Sequence, residues 1–514
     1  MRGLQRLCVA VPLLLLTVSF APANAGETLS PATISPTELF HRVRNAEGIR
    51  ARGAYHITLR GVVDGDVSVE DTFVDSRGYK TTETASGFTS SWGAFQGQAW
   101  YQDANGFVQH VSGAYYEHDP IESAVRAIGT NASSAKVLGM TGDTPPLYAV
   151  AVNPTQGLSE TRFYDSTTFL LRKVELKDYD GRTRISEYAD YRMASGRMVP
   201  FVRTYSADYY KGSQRYEVTA YQPVRPGGAD LSIPASKALF ELQGHDSVTI
   251  PADFTDYGIV VRVNVGQRGL DLLLDSGSSS IVVNASVASE LGLSTHNKRV
   301  ESFGGLYNLS DARIDDVSIG ALRSPSMAIN VAPVDYNVAE QQRIVGLLGC
   351  DFIAAGALEI DFEHKRLTMY PQPPSGLESK GWTAVPISLD DCVPLAKATF
   401  SAVPGQFILD LGAYDTVLYD HYFQHFKSSI APAKGEPLTS TGEFIGGDEV
   451  RFQSYSMRTF GIGDLLFADA TVDVPLTTRV QARDYDGLIG RTTLSNFDVM
   501  FDYAHQLVYL KPAM

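Results

Sequence analysis

Apolar and polar positions change period several times along the chain. From about Ala54 they alternate with period two, the pattern of half-buried strands. Tyr55-His56-Ile57-Thr58-Leu59 and Val67-Ser68-Val69 flank Asp64-Gly65, a tight-turn signal that predicts a hairpin. Further short strands are expected around Phe73, Ala99-Trp100-Tyr101 and Phe107-Val108. After Pro146 they resume at Leu147 to Val152, Glu160 to Tyr164, Leu170 to Leu176, Thr183 to Tyr191, Val199 to Tyr205 and Arg215 to Tyr221. Two helices interrupt the series. Ser35-Pro36-Thr37-Glu38 supplies an N-cap, a first-turn proline and a capping-box glutamate, and Asp119-Pro120-Ile121-Glu122 repeats that logic. Residues from about 30 to 240 therefore predict a β-meander with two helices.

Pro223-Val224-Arg225-Pro226-Gly227-Gly228 and the polar stretch to about Asp246 predict a linker, after which the chain becomes rich in Val, Ile and Leu. Leu272-Leu273-Leu274, an apolar strand, runs into Asp275-Ser276-Gly277-Ser278, and Ile281-Val282-Val283 follows. The pattern returns 135 residues later as Phe407-Ile408-Leu409-Asp410-Leu411-Gly412, followed by Val417-Leu418-Tyr419. The surrounding landmarks repeat in the same order. The first unit has Phe303-Gly304-Gly305, Ile319-Gly320 and Gly346-Leu347-Leu348-Gly349. The second has Ile445-Gly446-Gly447, Ile462-Gly463 and Gly487-Leu488-Ile489-Gly490. Each Gly-x-x-Gly is followed, fifteen residues from its first glycine, by an aspartate in an apolar strand, Asp361 or Asp502. The C-terminal half is thus a duplication that carries one turn-borne carboxylate per copy.

Composition sets bounds on this picture. The chain has 514 residues, 44% apolar and 20% charged, enough for about three globular domains. Arg2 and Arg6, the apolar stretch from Cys8 to Phe20, and Ala23-Asn24-Ala25 together predict a signal peptide over 1–25 and a periplasmic or secreted product. No later apolar run is long enough for a membrane span. The net charge of −15 becomes about −17 without the signal, which argues against nucleic acid and anionic membrane as partners. Cys350 and Cys392 remain in the mature chain, where export permits either a disulfide or two buried thiols.

Two resemblances follow from the motifs. Asp165-Ser166-Thr167-Thr168-Phe169-Leu170-Leu171-Arg172-Lys173, with Tyr188-Ala189-Asp190-Tyr191 and Gly196-Arg197-Met198-Val199-Pro200, resembles the hairpins of the LolA-like half-barrel of bacterial lipoprotein carriers. That resemblance implies a curved sheet with helices, and an apolar ligand as one partner; the alternative is a spacer, propiece or docking module whose helices fill the groove. Residues 255–512 resemble retropepsin-like aspartic proteases, particularly bacterial aspartyl protease domains, through Asp275-Ser276-Gly277 and the two Gly-x-x-Gly elements. The expected fold is mainly β: signal peptide 1–25, half-barrel domain 30–245, protease lobes 250–372 and 380–514. The resemblance implies Asp275 and Asp410 as a catalytic dyad that shares a proton and activates water, with no cofactor and no metal. The same resemblance implies that Ser276, Gly277 and Gly412 belong to the catalytic loops. It also implies that Gly304, Gly305, Gly446 and Gly447 fall where family members carry a flap, one per lobe, an arrangement closer to a fused retropepsin dimer than to pepsin. Tyr307 is a candidate flap tyrosine, with an ordinary strand aromatic as the other reading. The implied substrate is a peptide or protein in extended conformation.

Leu411 departs from the family pattern, which has Ser or Thr between the catalytic Asp and Gly in both lobes. The alternative function is therefore a non-catalytic peptide- or lipopeptide-binding carrier with a degenerate protease half. His421-x-x-x-His425 has ligand spacing without the glutamate of a zinc motif and predicts an exposed polar pair. Asp64-Gly65-Asp66 lacks the spacing of a calcium loop.

Overall fold

A computed structural model describes residues 29–48, 54–63, 65–111, 135–152, 160–177, 183–207, 213–242, 244–302, 306–334, 336–339, 342–425, 439–443, 449–476 and 485–513. The expected signal peptide, the expected helix at Asp119, and Asp64 all lie outside these residues. The chain divides into two units. One comprises Leu15–Asp103 and His110–Ala235, the other Ala104–Gln109 and Ser236 onward.

The first unit is built on a thirteen-stranded antiparallel sheet. Six strands from Tyr55–Val63 to Val108–Val111 and seven from Ala135–Met140 to Ser213–Pro223 each run as a meander. The two runs meet where Tyr55–Val63 pairs with Ser213–Pro223. The helix Pro36–Glu47 begins as the sequence dictates, with the Ser35 hydroxyl accepting Glu38 N–H at 3.2 Å, and it stops at Gly48 in the left-handed region (φ 74°). Its apolar stripe, Leu39, Phe40 and Val43, is buried against Val150, Val152, Tyr164, Leu171, Val174, Leu176 and Tyr188. Each such side chain contributes about 1.5–3 kcal/mol by burial, before the entropy of ordering it. In the Asp165 hairpin, one carboxylate oxygen accepts Thr167 N–H at 2.9 Å and Thr168 N–H at 2.8 Å, which fixes the turn that the Asp-x-x-Thr spacing anticipates. The strand expected around Phe107-Val108 is present as Val108–Val111, and the Phe107 side chain just before it is buried in the core of the second unit.

The second unit shows its duplication directly. In each half a hairpin leads into the strand that carries the aspartate: Ala252–Thr255, Gly258–Val265 and Arg268–Leu274, then Thr383–Asp390, Val393–Phe400 and Val403–Leu409. Gly346–Leu348 lies parallel to the first aspartate strand and Gly487–Ile489 parallel to the second. The halves join through six consecutive antiparallel strands, three from each: Val248–Ile250, Arg366–Tyr370 and Ala357–Asp361, then Phe497–Asp502, Leu507–Pro512 and Thr383–Asp390. The central register, Leu358↔Phe501 and Ile360↔Val499, relates the halves by a local twofold. Asp361 and Asp502, the repeated aspartates, each accept the N–H and ring nitrogen of the histidine three residues on, His364 and His505. They cap matching turns.

The lobes also brace each other's first hairpin by different chemistry. Arg491, directly after the second Gly-x-x-Gly, donates to Thr255 O at 3.0 Å and Asp256 O at 2.6 Å in the first lobe. Cys350, directly after the first, forms a disulfide with Cys392 in the matching turn of the second lobe. The alternative of two free thiols is thereby settled for the paired form.

Candidate active site

Asp275 ends a strand whose Leu272, Leu273 and Leu274 are all fully buried, and its N–H donates to Leu348 O at 3.1 Å. Asp410 ends the matching strand and donates its N–H to Ile489 O at 3.0 Å. The two apolar-apolar-glycine strands thus fix where each aspartate leaves the sheet. Each carboxylate turns back onto its own loop. Asp275 Oδ1 accepts Gly277 N–H at 2.9 Å; Asp410 Oδ1 accepts Gly412 N–H at 2.9 Å and Ala413 N–H at 3.0 Å.

The glycines bring the loops together. A Cβ on Gly277 would stand 2.7 Å from Cγ of Asp410, and one on Gly412 would stand 2.4 Å from Cγ of Asp275. Each glycine therefore faces the carboxylate of the opposite lobe at a distance no side chain tolerates. Both aspartates are fully buried, and the Oδ2 atom of each receives no hydrogen bond from a donor group among the described residues. The two carboxyls are close enough to act on each other, and a hydrogen bond between them would share a single proton. Two carboxylate oxygens have no proton to offer, so that bond requires one carboxyl to be protonated. Burial, and then the neighbouring Asp410, push the Asp275 carboxyl well above its ordinary range; burial likewise pushes Asp410 up, against the pull of the backbone N–H groups.

Ser276 lies beneath this pair with its side chain fully buried. Its hydroxyl donates to Leu409 O at 2.7 Å and accepts Leu411 N–H at 2.9 Å. Leu411 is also fully buried and packs in the apolar core. Tyr307 is 3% exposed and packs with Val260, Leu273, Val282 and Leu347 in a first-lobe cluster. Gly304, Gly305, Gly446 and Gly447 lie outside the described residues. The hairpin arms leading to those glycines are present in both lobes, paired at Ser302↔Leu306 and at Glu443↔Glu449.

Sequence reasoning passed over three residues near the site. Tyr503 is buried, and burial followed by the charges of Asp275 and Asp410 holds its phenol well above the usual range. Its place in the repeat is taken by Phe362 in the first lobe, so an aromatic next to Asp361 and Asp502 was the available signal. Asp351 is 4% exposed and accepts Ile281 N–H at 2.8 Å, just past the Asp275 loop. Asn105 donates to that same carboxylate at 2.7 Å. His421 pairs with Asp486 at 3.0 Å, while His425 lies beyond the end of the short helix Asp420–Phe423 and faces the Tyr422 ring. The two histidines do not share a helix face.

Comparison with known proteins agrees with the geometry of the first lobe: residues 259–352 match the family model described as aspartyl protease. No curated protein matches the chain. Among solved structures, the chain is similar to an aspartic proteinase from Irpex lacteus, at 16% identity and TM-score 0.36, over 52% of this chain and 97% of that one. It is also similar to a LolA superfamily protein from Nitrosomonas europaea, at 9% identity and TM-score 0.30, over 38% of this chain and 95% of that one. A third is a putative outer membrane lipoprotein-sorting protein domain from Vibrio parahaemolyticus, at 11% identity and TM-score 0.28, over 36% and 91%.

Proposed function

We propose that the second unit is an aspartic endopeptidase of an exported protein, with Asp275 and Asp410 as its dyad. The observation that carries this reading is the reciprocal packing of Gly277 on Asp410 and Gly412 on Asp275, which presses two buried carboxyls into one proton-sharing pair. The ionised member deprotonates a water held between them as that water attacks the scissile carbonyl. The protonated member hydrogen-bonds to the carbonyl oxygen as it becomes an oxyanion, and a proton then passes to the leaving amine. The backbone N–H groups of Gly277, Gly412 and Ala413 keep each Oδ1 in place, so the reacting oxygens do not rotate away during turnover. The substrate is an extended peptide or protein segment lying under the two hairpins.

For the first unit, an apolar ligand is the accompanying proposal. It has to compete with Leu39, Phe40 and Val43 for the apolar face of the sheet, so the ligand displaces or reseats the helix Pro36–Glu47.

The test is cleavage of a diverse peptide mixture between about pH 4 and 7, read by mass spectrometry, by the mature protein and by Asp275→Asn and Asp410→Asn. Cuts made by the wild type and lost in both variants establish the dyad. Cuts that survive Asp410→Asn remove it from the machinery. A folded wild type that cuts nothing leaves the peptide-binding alternative.

A further inference from the structure

Six residues of the second unit come from far upstream. Ala104–Gln109, which follows the strand Gln98–Gln102 and includes the first two residues of Val108–Val111, belongs with the second unit, although the chain on both sides of it belongs to the first. The segment is held at every step. The Gly106 carbonyl accepts Lys237 N–H at 2.9 Å, Phe107 is buried in the core, and Gln109 Oε1 accepts Cys392 N–H at 2.6 Å. Asn105 makes the most specific contact. Its amide nitrogen donates to Ala328 O at 3.0 Å and Asp351 Oδ1 at 2.7 Å, and its oxygen accepts Ala328 N–H at 2.8 Å. The carboxylate can only accept, so Asp351 itself dictates which way the amide is turned.

Asp351 in turn pins the exit of the Asp275 loop. Its Oδ2 accepts Ile281 N–H at 2.8 Å, and the adjacent Cys350 N–H donates to Ser278 O at 2.9 Å. A Cβ on Gly349 would stand 2.3 Å from Ser280 O, so loop and helix start are in direct backbone contact. Burial raises the Asp351 pKa to about 6, and the bonds from Asn105 and Ile281 oppose that rise. In the second lobe the position of Asp351 is occupied by Thr492, which is exposed. The tie to the upstream segment thus runs through a residue that the second lobe does not repeat.

We infer that Asn105, carried by the upstream segment 104–109, is a positioning residue for the Asp275 loop, acting through Asp351. This rests on the peptidase reading for its catalytic consequence and on Ile281 for its structural one. Removing the Asn105 amide leaves a buried carboxylate with one donor, which loosens the grip on Ile281.

The test uses the full chain with Asn105→Leu, which keeps the volume and loses the amide, beside Gln109→Leu, which loses a contact of the same segment away from the loop. Two readouts are taken: kcat and KM on a peptide the wild type cuts, and hydrogen exchange of the Ile281 amide by fragment-resolved mass spectrometry. Asn105→Leu is expected to lower kcat at least about tenfold with KM within about threefold, and to speed Ile281 exchange about tenfold. Gln109→Leu is expected to leave both near wild type, whatever its melting temperature. Wild-type behaviour of Asn105→Leu overturns the inference, as does an equal loss in both variants, which would mean docking of the segment alone. If Asn105→Leu does not fold, Asn105→Ser is measured the same way, and Ile281 exchange equal to wild type overturns it. A wild type without cleavage removes the peptidase reading, while Ile281 exchange still decides the link from Asn105.

Discussion

Ser276 and Leu411 are joined across the local twofold by a single hydrogen bond, from Leu411 N–H to the Ser276 hydroxyl at 2.9 Å. The same hydroxyl donates to Leu409 O at 2.7 Å, so one serine ties the two sides of the opposite loop. Leu411 cannot return the bond and is instead fully buried in the apolar core. An interlock that two hydroxyls would make symmetrically is here hydrogen-bonded on one side and packed on the other. Ser276 thus supports the backbone on both sides of Asp410 from the other lobe, where Leu411 offers no hydroxyl in return.

Ser276→Ala is therefore expected to be far more damaging than loss of one exposed hydroxyl. It leaves a buried N–H and a buried C=O without their partner, each costing about 1–3 kcal/mol. The expected loss is about 2–4 kcal/mol in urea unfolding, with at least a tenfold fall in kcat. Ser276→Thr keeps the hydroxyl and is expected to retain activity. An unchanged unfolding midpoint in Ser276→Ala would show that the bridge does not hold the loops.

Gly277→Ala and Gly412→Ala place a methyl 2.7 Å and 2.4 Å from the opposite carboxyl carbon. Neither contact can be relieved by turning a flexible side chain, because the group it meets is the dyad. Both variants are expected to fold with the carboxyls forced apart and to lose cleavage by at least about a hundredfold. Equal losses from the two sites would reflect the twofold. Full activity in either would mean that the carboxyls need not touch.

The pH dependence follows from the raised pKa values. On the proposed mechanism the pair works with one proton, so the rate is expected to be bell-shaped on the acid side of neutral. Stability moves with the same groups. A carboxyl whose pKa is higher folded than unfolded holds its proton more tightly in the folded state, so the stability it adds is fully present below about pH 4 and is lost as pH rises through the folded value. For Asp351 that value is about 6, and the dyad acts in the same direction. Asp410→Asn removes one such group, and its melting temperature relative to wild type is expected to climb between pH 4 and 7, equivalent to about 1–3 kcal/mol. A difference that is flat over that interval would contradict the raised pKa.

How much of this was legible depended on whether a feature lives in local pattern. The meander strands, the helix at Pro36 and the two aspartate loops were readable because period-two alternation, a serine-proline-x-glutamate start and an apolar run into Asp-x-Gly are written within a few residues. The lobe repeat was readable because its glycines are fixed by close backbone contact, as at Gly346, where a Cβ would meet Val282 O at 2.1 Å. The strand near Phe107 was readable, but not that the Phe107 ring joins the core of the second unit, since local pattern does not say which core an apolar side chain enters. Asn105 was invisible, since its partner Asp351 is 246 residues away and a lone asparagine in a turn carries no pattern. Arg491 and Cys350 occupy the same place in the repeat, yet one is a cation and the other a thiol, so alignment by residue type hid their common task.

That shared task yields the last prediction. Arg491 clasps the hairpin turn at Thr255 and Asp256 through two backbone carbonyls, and Cys350 clasps the matching turn through Cys392. The disulfide closes a loop of 42 residues, for which chain entropy gives about 4 kcal/mol of stabilisation. The arginine closes nothing covalently; removing it leaves two carbonyls short of a charged donor, about 1.5–3 kcal/mol each at most. Replacing both Cys350 and Cys392 by serine is thus expected to lower the urea midpoint, as is Arg491→Ala. Arg491→Lys is expected to recover only part of the loss, since an ammonium lacks the planar fork that meets both carbonyls at once. Because the two clasps hold different turns, combining the cysteine and arginine changes should give nearly additive losses. Reductant alone should reproduce the serine variant and leave the Arg491→Ala increment intact. If reductant left the wild-type midpoint unmoved, the bridge would not be holding the second-lobe turn, and the arginine would be the only clasp of the pair.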